Sequence, residues 1–266
     1  MAHPDTIPGR LLESLDADGT SPRLTWYGPG GERTELSGRV LANWVTKAAN
    51  MLVEEGDVEP GTAVVVHLPV HWRALVWALA AWTAGAQVLP RDAGDAGTGA
   101  GGRGDATADE ELATADGVVV VTSEPDHAPG REGADLVLAV ALPSLAMSWD
   151  GPDLPTGVVD AAAELLGYGD ALGYVVEPDD GDLAVGGDVT YGELASWAAG
   201  TVGAAAEEDR PARVLVSPAS LHGLLRQAVG VWLAGGSVVL VEPGSGTAIE
   251  DVTAAERVDL RLDGRH

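Results

Sequence analysis

The sequence contains no cysteine, no phenylalanine and a single lysine, Lys47, among its 266 residues. Without thiols it cannot build a disulfide framework, a thiolate metal site or a cysteine nucleophile. One lysine and fourteen arginines stand against 41 Asp plus Glu, a formal net charge of -26. A broad basic face for nucleic acid is therefore excluded, and anionic membrane surfaces repel the chain. Any phosphate-loop lysine would have to be Lys47. No apolar run is long enough for a bilayer: the longest, around Ala74 to Ala86, is short and interrupted by tryptophan and threonine. Met1-Ala2-His3-Pro4-Asp5 has neither the basic nor the apolar region of a signal peptide, so a soluble cytoplasmic protein is expected.

What is present is 36 glycines, eight tryptophans and short apolar runs alternating with helical periodicity. A helix over Thr6–Leu15 precedes two strands, Arg23–Tyr27 and Glu32–Leu36, that read as a hairpin. Ser37 caps a helix to about Glu55, with Gly56 as its stop. Strand Ala63–Leu68, helix Trp72–Thr83 and strand Ala86–Leu89 follow. A flexible Gly-rich loop is expected over 92–105. Beyond it come a helix near Asp109–Thr114, strands Gly117–Val121 and Ala134–Val140, an irregular Pro143–Gly157 and a helical Val158–Leu166. A second series has strands Gly173–Val176 and Asp182–Val185, then helix Tyr191–Ala206, strand Arg213–Ser217, helix Leu221–Ala234 and strand Ser237–Val241. A helix near Ala248–Glu256 and a strand Val258–Leu262 close it. The alternation predicts an α/β fold with mostly parallel sheets flanked by helices.

Sliding the chain by 150 residues aligns Val64–Leu89 with Val214–Val239 without a gap, and 8 of 26 positions are identical. Composition alone would give roughly two or three. The shared residues include Trp82/Trp232, Ala84/Ala234 and Gly85/Gly235, and each glycine sits where a helix must end in a left-handed cap. Thr34 and Thr190 stand before the two long helices. Two βαβ units in Ala-rich sequence share some features anyway, but ungapped identity favours a pseudo-symmetric duplication. It predicts one domain, 1–266, of two lobes: lobe A about 20–150 and lobe B about 170–262.

These residues resemble the adenylate-forming superfamily, the acyl-CoA synthetases and AMP-dependent ligases. The likeness is carried by Arg33-Thr34-Glu35-Leu36, Ala49-Asn50-Met51-Leu52, Val58–Pro69, Ala80–Pro90 and Leu233-Ala234-Gly235-Gly236-Ser237-Val238-Val239. It covers about Arg33–Pro90 and Arg210–Leu262, and is similar most closely to a short actinobacterial AMP-binding-like family. The resemblance implies the two-subdomain N-terminal domain of such enzymes, with ATP, AMP or acyl-CoA as candidate ligands. The departures are chemical. The superfamily's Ser/Thr/Gly-rich phosphate loop ends in Pro-Lys, whereas Asp182-Leu183-Ala184 here leads into Val185-Gly186-Gly187-Asp188-Val189-Thr190, with no lysine and a carboxylate of the wrong sign. The Tyr-Gly-x-Thr-Glu and Thr-Gly-Asp motifs are absent, and the sequence ends before a C-terminal domain with its lysine would begin. Neutralising a transferring phosphoryl group needs cations or a metal. The expectation is a non-catalytic ligand-binding or interaction module with no catalytic residue. The alternative is a divergent adenylate- or thioester-handling enzyme completed by a protein partner.

The candidate ligand-binding residues are Ser217, His222, Gly244, Ser245, Gly246 and Thr247. Gly244–Thr247 follows a strand and opens a helix, where backbone N–H groups can meet an anion; it also reads as an ordinary turn with Thr247 as cap. The resemblance places His222 beside an acyl pocket. His67 and His71 are four apart, but Pro69 between them precludes a helical metal pair, and no metal site is expected. Thr122-Ser123-Glu124 reads as a loop at a strand end. Asp105, Asp109, Glu110, Glu111 and Asp116 read as a solvated helix start, and Trp44, Trp72, Trp77 and Trp82 as core or interface.

Overall fold

The computed structural model describes residues 6–93, 110–144, 146–199 and 211–263. The first half runs α1 (Ile7–Ala17), β1 (Pro22–Tyr27), β2 (Arg33–Ser37), α2 (Gly38–Gly56), β3 (Thr62–Leu68), α3 (Trp72–Thr83), β4 (Gln87–Asp92), α4 (110–113), β5 (Gly117–Thr122), β6 (Leu136–Ala139), β7 (Val158–Asp160) and α5 (Ala161–Glu164). The second runs β8 (Leu183–Val185), β9 (Val189–Thr190), α6 (Leu194–Ala199), β10 (Arg213–Ser217), α7 (Leu221–Leu233), β11 (Ser237–Val241), α8 (Ile249–Ala255) and β12 (Leu260–Asp263). Most of the expected loop 92–105, the carboxylates Asp105 and Asp109, and residues 200–206 of the expected Tyr191–Ala206 helix lie outside the described residues.

Two sheets form, ordered β12-β10-β11-β1-β2 and β7-β6-β5-β3-β4-β8-β9, parallel except at the hairpins β1–β2 and β8–β9. Period-two alternation decides which side chains face which layer. Val64 and Val66 of β3 face one large core while Ala63 and Val65 face a smaller cluster with Ala128. In the other sheet Val214 and Val216 join the same large core, and Leu215 packs with Val252 of α8. Residues of α1, α2, α3 and α7 complete that core between the sheets. The expected α/β architecture of mostly parallel sheets flanked by helices is therefore present. Among the described residues no helix is long and apolar enough to cross a membrane.

The duplication holds at atomic detail. Ala63 pairs with Gln87 and Val64 with Val88; 150 residues on, Arg213 pairs with Ser237 and Val214 with Val238. Both helices close alike: Gly85 N–H donates to Trp82 O and Ala86 N–H to Ala81 O, as Gly235 does to Trp232 O and Gly236 to Val231 O. Gly85 and Gly235 have φ of 89° and 76°, the left-handed cap. The matching N-caps are Ser37, accepting from Val40 N–H, and Thr190, in a capping box with Glu193; Thr34 lies inside β2.

The lobes do not divide at 150–170 as expected. The hairpin β1–β2 leaves its own half to pair with β11, Leu24 through Tyr27 against Val238 through Val241. The hairpin β8–β9 returns the exchange by pairing Val185 with Val88 of β4. Two expected elements also change. Val158–Leu166 splits into β7, the single helical turn α5 and a 3-10 turn, with Asp160 accepting from Ala162 N–H and Ala163 N–H. Among the described residues Gly173–Val176 pairs with no strand. The chain leading into it is held by buried Asn50, which donates to Gly169 O and Ala171 O and accepts from Gly173 N–H.

On the outer face of the first sheet, Glu256 collects Tyr27 OH at 2.5 Å, Arg33 Nε at 2.9 Å and the Arg213 guanidinium. Burial alone would raise this carboxyl, but the bonds from Tyr27, Arg213 and Arg33 bring it below its usual 4.5. A depressed carboxylate contributes stability that is complete above its unfolded pKa and lost as pH falls through the folded one. Urea denaturation of wild type and Glu256→Gln should therefore show a gap at neutral pH that closes on acidification below about pH 4.5.

Candidate functional site at the junction of the sheets

In open α/β sheets ligands bind beyond the carboxyl ends of the strands, and here these ends carry two backbone N–H groups suited to an anion. The first belongs to the turn Gly186–Asp188 between β8 and β9. Gly186, with φ of 54°, donates its N–H to Val88 O and accepts from Gln87 Nε2 at 2.7 Å. Gly187 N–H donates to Glu111 Oε1 at 3.0 Å, and Glu111 Oε2 accepts from Arg91 Nη2 at 3.0 Å. A carboxylate of this chain thus sits on the turn, held by an arginine from the end of β4. Lys47 is elsewhere, on α2, bound to Tyr168 O and at 2.7 Å to Asp170.

The second group is the first turn of α7. Ser220 caps it by accepting Gly223 N–H at 3.2 Å, and Leu221 N–H donates to Asp92 Oδ1 at 2.7 Å. Asp92 is the last residue of β4, so this carboxylate crosses from one sheet to a helix of the other. His222 is exposed and stands edge-on to Trp197 at 5.5 Å, which itself meets Trp82 at 6.5 Å. Arg226 Nε donates to Trp197 O at 2.7 Å, fixing this stack of rings beside α7.

Ser217 ends β10 and lies half-buried on the carboxyl edge shared with β11, where Gly244–Thr247 also lies. That turn is closed by Ser245 N–H to Glu242 O at 3.2 Å and Thr247 N–H to Ser245 Oγ at 3.3 Å, with Gly244 and Gly246 both at φ of 76°. The N-cap of α8 is Ala248, with no side-chain bond, and Glu250 and Asp251 occupy its first turn. Thr247 therefore lies one residue too early to cap, and the helix end facing this turn is already acidic.

His67 and His71 go separate ways. His67 Nδ1 meets Thr122 Oγ1 at 2.9 Å in the core, where burial lowers its pKa against a partly opposing Glu124. Thr122 Oγ1 also accepts Glu124 N–H, so the Thr122–Glu124 loop is stapled to β3. His71 is the N-cap of α3. Among the described residues no three His, Cys, Asp or Glu side chains gather as metal ligands. Trp72, Trp77 and Trp82 are core, and Trp44 packs half-buried against it.

The residues that sequence reading missed are Arg91, Asp92 and Glu111. Arg91-Asp92 directly after a buried strand, at a carboxyl edge, was the available signal. Glu111 carried none, because the turn it binds lies 76 residues away.

The fold is that of the N-terminal half of adenylate-forming synthetases. An acyl-CoA synthetase from Brucella canis superposes with a TM-score of 0.70 at 21% identity, covering 95% of this chain and 46% of that one. The amide bond synthetase McbA from Marinactinospora thermotolerans gives 0.63 at 19% identity, over 96% and 48%. The chain thus spans about half the length of these enzymes. No family model matches the sequence. A TIGR03089 family protein of Mycobacterium tuberculosis (strain ATCC 25618 / H37Rv) is 32% identical over 191 residues, 71% of this chain and 70% of that protein. The chain belongs to the TIGR03089 family.

Proposed function

We propose that this protein is a non-catalytic member of the adenylate-forming fold, a binding module that does not activate acids with ATP. The observation that carries this reading is the pairing of both anion-directed N–H groups with the chain's own carboxylates, Gly187 with Glu111 and Leu221 with Asp92. A triphosphate entering there would have to displace Glu111, which Arg91 holds in place, and Asp92 from these N–H groups. Repulsion between like charges at close quarters disfavours such a ligand. The exposed His222 and the Trp197 ring beside it offer an aromatic surface for an uncharged acyl group or ring instead.

ATP–pyrophosphate exchange tests this directly. With Mg-ATP and a panel of aliphatic and aromatic acids, the purified chain should show no exchange above a heat-inactivated control, and millimolar ATP should leave its melting temperature unchanged. Exchange by the chain alone would overturn the proposal. Exchange that arises only on adding lysate, and is lost with Trp197→Ala, would favour an enzyme completed by a partner.

A further inference from the structure

Three consecutive residues at the start of α3 each carry a buried N–H that has no hydrogen-bond partner. His71, Trp72 and Arg73 are 2%, 2% and 4% exposed, and His71 Nε2, Trp72 Nε1 and Arg73 Nε have no hydrogen-bond partner. His71 Nδ1 accepts Arg73 N–H at 3.1 Å, so the proton of the neutral ring sits on Nε2. Burial, then the charge of Arg73, pushes this imidazole down to about 3. Arg73 stays charged at neutral pH although burial brings it to about 10. Its guanidinium lies 4.6 Å from the Trp72 ring and 5.4 Å from the Trp44 ring, and donates to Pro143 O at 3.2 Å. No carboxylate among the described residues pairs with it.

A buried cation with no carboxylate in direct contact is costly for a fold to hold, and the charge of Asp150 acts on Arg73 only from a distance. All three unpartnered groups are donors, so the complementary group is acceptor-only. One positive charge calls for one negative charge, and the guanidinium fork matches a planar carboxylate. A water molecule could accept from two of these donors but would leave the charge uncompensated. The N-terminus of α3, a helix of 12 residues, adds partial charge of the same sign. Trp26 stands edge-on to His71 at 4.5 Å and Trp44 edge-on to Trp72 at 5.7 Å, giving apolar walls.

We propose that Arg73, with the indole N–H of Trp72 and the Nε2–H of His71, forms a binding site for a single carboxylate, closed in this conformation where Pro143 O reaches the guanidinium. It is separate from the crevice at Gly187 and α7. The carboxylate comes either from a free organic acid or from Asp150, an exposed residue whose charge Arg73 already senses.

The indole N–H resonances in a proton–nitrogen correlation spectrum report on this site, with Trp72 assigned by its loss in Trp72→Phe. Acetate is titrated to tens of millimolar against chloride at constant ionic strength, into wild type and Asp150→Asn. A saturable downfield shift of the Trp72 indole in wild type supports the site with a free acid as ligand. The same shift in Asp150→Asn alone supports it with Asp150 as the resident carboxylate. Arg73→Gln, if folded by circular dichroism, should abolish the response. No movement of the Trp72 indole in either chain would overturn the proposal whether or not Arg73→Gln folds.

Discussion

Trp82→Ala and Trp232→Ala should each destabilise the chain by about 3–5 kcal/mol, the usual range for emptying a buried aromatic site. The two residues occupy equivalent places 150 positions apart and are 1% and 0% exposed. Each also holds a hairpin that has crossed to the other half. Trp82 Nε1 donates to Ala184 O of β8 at 2.8 Å, and Trp232 Nε1 donates to Arg23 O of β1 at 3.0 Å. Truncation therefore removes both the packing and the bond that anchors the exchanged strand. Trp→Phe separates the two effects: it keeps most of the volume and orphans one buried carbonyl, at about 1–3 kcal/mol. Urea denaturation of the four variants measures this. A loss below about 1 kcal/mol for either alanine variant would mean that the indoles do not hold the exchanged hairpins.

That exchange marks the boundary of what the sequence discloses. Periodicity identifies β1 as a strand and its turn as a hairpin because alternation and glycine are local. It says nothing about β11, since Leu24 and Val238 meet only in space. The repeat was legible because both units must end a helix and turn into a strand, and only a left-handed residue does this in the space allowed. Gly173–Val176 misled for the opposite reason. Its composition suits a strand, but the amide of Asn50 fixes the chain leading into it at Gly169, Ala171 and Gly173.

The crevice was legible in its deficits and illegible in its contents. The missing lysine and the wrong-signed carboxylate of Asp188 were plain from Val185–Thr190. Glu111 looked like a solvated helix start, and Asp92 like the edge of a flexible loop. Both became meaningful only when β4 brought Arg91 and Asp92 between the β8–β9 turn and α7. Local charge does not disclose its partner, so a carboxylate that accepts a distant backbone N–H reads in sequence as surface.

Gly38→Ala should cost roughly 3 kcal/mol, where the same change inside an exposed helix would gain about 1 kcal/mol. Gly38 opens α2 and is buried. A Cβ there would lie 1.7 Å from Leu15 O and 2.8 Å from its carbonyl carbon. The obstacle is backbone of α1, so no side chain can swing aside. Leu15 itself is 0% exposed and belongs to the large core, which resists a shift of α1. The start of α2 is equally fixed: Gly38 N–H donates to Ser21 O and Arg39 N–H to Gly19 O, both at 3.0 Å. Relief requires parting α1 from α2 or breaking these bonds, and either outweighs the entropy that alanine saves in the unfolded chain. Gly133→Ala is the control, since nothing lies within 4 Å of its added Cβ, and it should change stability by no more than about 0.5 kcal/mol. If Gly38→Ala proved as harmless as Gly133→Ala, the close approach of α1 to α2 would be refuted. In sequence, a glycine after a capping serine looks dispensable; only the carbonyl of Leu15, 23 positions upstream, makes it obligatory.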